Sequence, residues 1–183
     1  MTRRQALLLA PFGAAALAGA GFWTVLGRMK AGRFDPHDVP SQLIGRPVPE
    51  FALPAQEPGQ GFGSADIIAL RRPVLVNFFA SWCVPCVVEH PELMVLSRAG
   101  VPIWGIAYKD AVAAASGFVA RHGNPYARIA RDAPGQVAID WGVYGVPESY
   151  LIDPEGIVRW RMAGPLTPAV VSEQLQPMLR AMA

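Results

Sequence analysis

The chain has 183 residues, enough for one ordinary domain and an appendage. Lys and Arg total 16 against 14 Asp and Glu, and a formal charge of +2 with no basic run gives no case for nucleic-acid binding. Apolar residues make up 52% of the chain, so its 18 prolines and 18 glycines mark the turns of a loop-rich α/β domain rather than disorder, and two cysteines are too few for a disulfide framework to replace a hydrophobic core.

Arg3-Arg4 precede an uncharged stretch from Gln5 to Gly27, rich in Ala, Leu and Gly, and Arg28, Lys30 and Arg33 follow it. That length fits a membrane-spanning helix, which needs about 20 apolar residues. A cleaved signal peptide is the alternative, with Ala18-Gly19-Ala20 as its small-x-small site. The uncharged run continues through Phe22, Trp23 and Val25, which favours an uncleaved anchor with Trp23 at the far interface. Residues 1–28 are therefore read as anchor or signal, 29–45 as a polar linker and 46–183 as the domain. Basic residues flank both ends of the span. The two leading arginines favour an inside amino terminus, which puts the domain in an oxidising compartment.

Gly45 to Pro54 carries enough proline to allow only short extended pieces at or outside a sheet edge. Gly59 to Gly63 is a turn, and Ser64 or Asp66 can cap a short segment through Leu70. Val74-Leu75-Val76-Asn77-Phe78-Phe79 reads as a buried strand, and Val87 through Ser97 as a helix that Pro91 should kink. Between them stands Trp82-Cys83-Val84-Pro85-Cys86, which holds both cysteines of the chain. The spacing brings both sulfurs within disulfide reach at a helix start, where free N–H groups and the positive dipole end favour a thiolate. Zinc would need two more soft ligands, and His37, His90 and His122 are scattered. A static bridge closing so short a loop would remove little chain entropy. The pair is expected to be an exposed redox switch.

Val101 to Tyr108 is a second buried strand, and Asp110 to His122 a helix with Asp110 as cap and Gly123 past its end. Arg128-Ile129-Ala130 is a short strand, and Gln136 to Trp141 one or two helical turns. Gly142 to Glu148 is a Gly-punctuated loop, followed by a hairpin of Ser149–Asp153 and Ile157–Met162 around Pro154-Glu155-Gly156. Thr167 caps a final helix running to Met182, with Pro168 at its first position. The β-α-β-α-β order, then a hairpin and a helix, implies a mixed sheet with helices on both faces.

That order, with WCxxC and a loop ending in Val-Pro, resembles the thioredoxin fold. Ala80-Ser81-Trp82-Cys83-Val84-Pro85-Cys86-Val87-Val88-Glu89-His90-Pro91 and Gly142-Val143-Tyr144-Gly145-Val146-Pro147-Glu148-Ser149-Tyr150-Leu151-Ile152-Asp153 are more narrowly similar to the membrane-anchored thiol:disulfide interchange proteins of cytochrome c maturation, the DsbE/CcmG type. The resemblance runs nearly end to end. It implies a single-pass inner-membrane protein, monomeric, with a periplasmic domain that keeps its cysteines reduced. Electrons would pass to the haem-binding cysteines of apocytochrome c or to a haem-ligation partner protein, and a membrane electron donor of the DsbD or CcdA kind would re-reduce the pair. No cofactor or metal is implied.

Cys83, nearer the helix N-terminus, is the expected nucleophile, Cys86 the resolving thiol, and Pro85 restricts the loop between them. Trp82 would cover one side of the site. The resemblance makes Val146–Pro147 a cis bond facing the cysteines, with the Val146 backbone pairing to an extended substrate peptide. Glu89 lies one turn after Cys86 on the same helix face, and Glu148 follows the proline; both are expected to raise a thiol's pKa and relay its proton. Asn77 stands where many thioredoxins carry a buried Asp, and an amide cannot relay a proton, so Glu89, Glu148 or water must. Two other readings share the motif. A general thiol oxidant would want a charged, thiolate-stabilising dipeptide, which Val84-Pro85 is not, and a peroxide reductase would want a Thr and an Arg beside a lone cysteine. A scaffold with an inert disulfide is the non-enzymatic alternative.

Overall fold

Six consecutive buried side chains make Val74–Phe79 (β3) the middle of the sheet in the computed structural model, which describes residues 13, 15–25, 27, 41–56 and 61–182. Residues 15–25 are helical (α1) and form part of a unit separate from Ser41–Ala183. Among the described residues no helix is long and apolar enough to cross a membrane. Most of the remaining positions of the expected anchor and linker lie outside the described residues.

Within Ser41–Ala183, Gly45 N–H donates to Val158 O (2.8 Å), so the chain meets the sheet just before Arg46. Ala52–Leu53 (β1) and Phe62–Gly63 (β2) pair antiparallel outside the main sheet, as the prolines around them require. Ser64–Ala69 (α2) follows, and Asp66 Oδ2 accepts the Gly63 N–H at its start (2.9 Å). The five-stranded sheet runs in the order Arg128–Asp132 (β5), Ile103–Tyr108 (β4), β3, Glu148–Ile152 (β6) and Val158–Ala163 (β7). Strand β4 runs parallel to β3, and β5 parallel to β4. Strands β6 and β7 are antiparallel and close the sheet as a hairpin.

Alternation along β3 divides the core. Leu75 and Phe79 face Val84–Arg98 (α3), Val112–His122 (α4) and the C-terminal helices, together with both cysteines, Leu151 and Trp160. Val74, Val76 and Phe78 face α2 and Gln136–Asp140 (α5), with Trp104, Trp141 and Tyr150. α3 continues through Pro91 rather than ending there, and its buried stripe is Cys86, Glu89, His90, Leu93 and Leu96.

The C-terminal helix departs from the single run expected. Thr167 caps Pro168–Val170 (α6) by accepting the Val170 N–H, but Val171–Leu175 then forms a π turn before Gln176–Ala181 (α7). Pro177 supplies the reason. It has no N–H to continue the α ladder, and its ring crowds the carbonyl four residues back.

Candidate active site

The strand–turn–helix sequence positions the cysteines. β3 ends at Phe79, and Cys83 is the N-cap residue of α3 in extended conformation. The Cys86 N–H, one of the orphan donors of the first turn, donates to Cys83 Sγ (3.1 Å), and Val84 and Pro85 form that turn. A disulfide joins Cys83 and Cys86, with α-carbons 5.3 Å apart. On reduction the same N–H and the dipole of a 15-residue helix would stabilise negative charge on Cys83.

The expectation of an exposed pair is corrected. Cys83 is 3% and Cys86 1% exposed, because Cys86 starts the buried stripe of α3. The sequence neighbours of Cys83 stand in solvent, Trp82 at 58% and Val84 at 74% exposure. Val87 and Val88 extend this apolar rim along α3, and Trp82 leans toward Tyr108 with ring centroids 6.4 Å apart.

The turn carrying Trp82 is tied down by a residue expected to do something else. Asp110 does not cap α4, whose N-cap is Ala111; it accepts the Ser81 N–H (2.5 Å) and the Ser81 hydroxyl (2.9 Å). Asp110→Ala is expected to cost about 1.5 kcal/mol of unfolding free energy in urea, the lower end for hydrogen bonds to a charged group because this one is partly exposed.

The buried stripe of α3 that Cys86 begins also carries Glu89 into a buried polar network. Glu89 is fully buried; its Oε1 accepts from Asn77 Nδ2 (2.9 Å) and its Oε2 from the Leu166 N–H (2.9 Å). Burial pushes its carboxyl up, the two hydrogen bonds pull it back, and the balance lifts it from 4.5 to about 7. Asn77 Nδ2 also donates to Ser149 Oγ (3.0 Å), and Asn77 Oδ1 accepts from the Tyr126 hydroxyl (2.8 Å). Tyr126, Ser149 and Leu166 escaped the sequence reading, and no local pattern points to them.

Glu148 is placed elsewhere. It pairs with Phe78 in the β3–β6 ladder, and its side chain shares the face of Tyr150, while Ser149 and Asn77 share the face of the cysteines. Its carboxylate is 1% exposed and fully engaged: Arg161 Nε and the Tyr150 hydroxyl both lie 2.5 Å from Oε1, and the Tyr144 N–H donates to Oε2 (3.3 Å). The single proton of the Tyr150 hydroxyl lies between Glu148 Oε1 and Trp141 O (2.9 Å). Burial works against the Arg161 charge, but the Glu148 carboxylate outweighs it and raises the guanidinium's pKa. The structure thus groups Glu89 with the cysteine face and Glu148 with the opposite one.

Val146–Pro147 is a cis peptide, as the resemblance implies. Val146 packs against both core clusters, including the one that contains the cysteines, and Pro147 O accepts the Gly164 N–H (3.0 Å). Among the described residues no group of three or more His, Cys, Asp or Glu is arranged to hold a metal.

Known proteins agree with this geometry. A profile of the AhpC/TSA family matches residues 44–161. The thiol:disulfide interchange protein DsbE of Pseudomonas aeruginosa is 42% identical over 180 residues, covering 96% of this chain and 93% of its own. The thiol:disulfide interchange protein HelX of Rhodobacter capsulatus is 38% identical over 165 residues, with 90% of each chain covered. Among solved structures, a DsbE of Chlorobium tepidum superposes with a TM-score of 0.65 at 29% identity, covering 76% of this chain and 98% of that one. A mixed sheet with a CxxC disulfide at a helix start and a cis-proline loop is the thioredoxin-like fold, and this chain belongs to the AhpC/TSA family and, within it, to the DsbE-type thiol:disulfide interchange proteins.

Proposed function

We propose that the protein works as a reductant in cytochrome c maturation, with Cys83 as nucleophile, Cys86 as resolving thiol and Glu89 as the group that holds and moves the Cys86 proton. The observation that carries this reading is the fully buried Glu89 carboxyl, one turn along α3 from Cys86, which burial pushes up to about 7.

In the reduced state the Cys83 thiolate attacks one sulfur of the partner's disulfide. That bond breaks, a mixed disulfide forms and the first partner thiolate leaves. Cys86 then loses its proton to the Glu89 carboxylate and attacks Cys83 Sγ, releasing the second partner thiolate. Both partner thiolates take protons from solvent. Two electrons pass to the partner, and the Cys83–Cys86 disulfide is the product.

Electrostatics favours this direction. A strong oxidant owes its potential to a stabilised reduced form. The α3 dipole favours one thiolate, on Cys83, but Val84-Pro85 adds no charge and an ionised Glu89 would disfavour a second thiolate, so the reduced form is stabilised less than in a strong oxidant. The apolar rim of Trp82, Val84 and Val88 suits an unfolded peptide, with the Val146 backbone pairing to it at the cis-proline loop. Glu148 is assigned to holding that loop through Tyr144 and Arg161, rather than to proton relay.

The partner follows from the resemblance: apocytochrome c, or a protein of haem ligation, with a membrane electron donor of the DsbD or CcdA kind restoring the dithiol. The domain would sit in the periplasm as a monomer, tethered to the inner membrane by residues 1–28. Cys86→Ser is expected to accumulate the mixed disulfide, and mass spectrometry of the trapped species should identify a haem-attachment cysteine pair or an assembly protein. A broad set of unrelated secreted proteins in the trap would instead indicate a general oxidoreductase.

A further inference from the structure

We infer that Tyr126 is a positioning residue of the site: its hydroxyl fixes which way the buried Asn77 amide faces, and so keeps the amide NH2 on the Glu89 carboxylate. The inference rests on the proton role proposed for Glu89 and adds a residue that does not touch the cysteine chemistry itself.

A primary amide has two unlike ends. Asn77 directs its NH2 at Glu89 Oε1 and Ser149 Oγ and its oxygen at the Tyr126 hydroxyl, 2.8 Å away. Asn77, Glu89 and Ser149 are fully buried and Tyr126 is 6% exposed, so water cannot readily replace a missing partner. If the amide turned over, its oxygen would face the Glu89 carboxylate, an acceptor against an acceptor. That arrangement is tolerable only when Glu89 keeps its proton and donates it. The orientation of Asn77 and the protonation of Glu89 are therefore coupled, and the Tyr126 hydroxyl is the donor that holds the orientation suited to the carboxylate.

The Tyr126 ring does not depend on this bond for its place. It stacks on Phe79, with centroids 4.8 Å apart and planes 19° apart, and lies over Gly105, where any Cβ would meet its ring at 2.9 Å. Its backbone N–H is held by Asn124 Oδ1 (2.9 Å). Removing the hydroxyl alone should leave the packing standing.

Few other groups bear on Glu89. From β3 comes Asn77, from β6 Ser149, from the segment before α6 the Leu166 N–H, and from the chain before β5 Tyr126. On α3 itself the titratable neighbours are Cys86 when reduced, His90, whose Nε2 is engaged with Gly123 O (2.9 Å), and Glu92, one turn on. The influences that set the Glu89 carboxyl are burial, Leu166 and Asn77, none of them a charged side chain.

The test follows the Glu89 carboxyl carbon by NMR in the full oxidised chain labelled with 13C-glutamate, Glu89→Gln assigning the resonance. Tyr126→Phe is expected to raise the titration midpoint by about one pH unit, because the carboxylate loses its oriented donor. Asn77→Ala should raise it comparably, and Tyr126→Phe should add nothing in the Asn77→Ala background. An unmoved midpoint in Tyr126→Phe, or the same increment in both backgrounds, would overturn the inference, whatever the change in Tm. Should Tyr126→Phe fail to fold, Ser149→Ala loosens the other end of the same amide and must move the midpoint in the same direction; no movement is equally fatal. The proton role fails separately: if Glu89→Gln leaves the pH profile of disulfide exchange unchanged, that role is lost. If Glu89→Gln removes the profile's inflection while Tyr126→Phe leaves the midpoint in place, only the inference about Tyr126 falls.

Discussion

Replacing Arg161 by methionine will destabilise the domain by about 3–5 kcal/mol, the range for stranding one partner of a buried ion pair. Glu148 is 1% exposed and the Arg161 side chain 7%, and their contact is 2.5 Å. Without the guanidinium, the Glu148 carboxylate keeps only the Tyr150 hydroxyl, shared with Trp141 O, and the long Tyr144 N–H contact. The loss should be read by urea unfolding at pH 7 as a lower midpoint with an unchanged slope. Glu148→Gln added to Arg161→Met removes the stranded charge, so the double variant should be more stable than Arg161→Met alone. The substitution also touches the cis-proline loop. Arg161 also stacks over the Tyr144 ring (5.1 Å), and Tyr144 belongs to the segment leading into Val146–Pro147.

Glu89→Gln should slow reduction of a disulfide substrate at neutral pH by about 100-fold, the lower end for loss of a positioned proton acceptor. The wild-type rate should rise through pH 7 as the carboxyl ionises, and the variant should lack that inflection. Stability changes in the opposite sense. A carboxyl raised from 4.5 to about 7 binds its proton more tightly in the folded chain, so its contribution is fully present below pH 4.5 and is lost as pH rises to 7. At 1.36 kcal/mol per unit the loss is about 3 kcal/mol for this group. His90 opposes it. Burial, partly countered by Gly123 O, lowers its pKa from 6.5, so it adds stability as pH rises through that range. The difference between wild type and Glu89→Gln, both oxidised and compared at pH 5 and pH 8, isolates the glutamate; the variant should lose the downward component.

The central strand, the cysteine turn, the hairpin and the order of helices were legible because each is a local pattern. The apolar run of β3, the spacing of Cys83 and Cys86, and Pro154-Glu155-Gly156 need no knowledge of what packs against them. Glu89 was legible by helical phase, since a residue three after a buried Cys86 shares its stripe. The face of Glu148 is not legible, because adjacency in the chain is not adjacency across a sheet: one residue of strand register separates Ser149, on the cysteine face, from Glu148, on the other. The Glu89 network was hidden for another reason. Its contacts join Asn77 to Tyr126 across 49 residues and Glu89 to Leu166 across 77, distances over which no periodicity carries information. Asp110 at a helix start suits a cap by its residue type, but its tertiary contact with Ser81 depends on a segment 29 residues away.

Whether Cys83 and Cys86 form a reducing couple is decided by their reduction potential, measured in the full chain at pH 7 against thioredoxin and glutathione. A value near that of thioredoxin, about −270 mV, is what a carboxylate-biased reductant requires. A value near that of DsbA, about −120 mV, or a bridge that thioredoxin-type reductants leave intact, would contradict it.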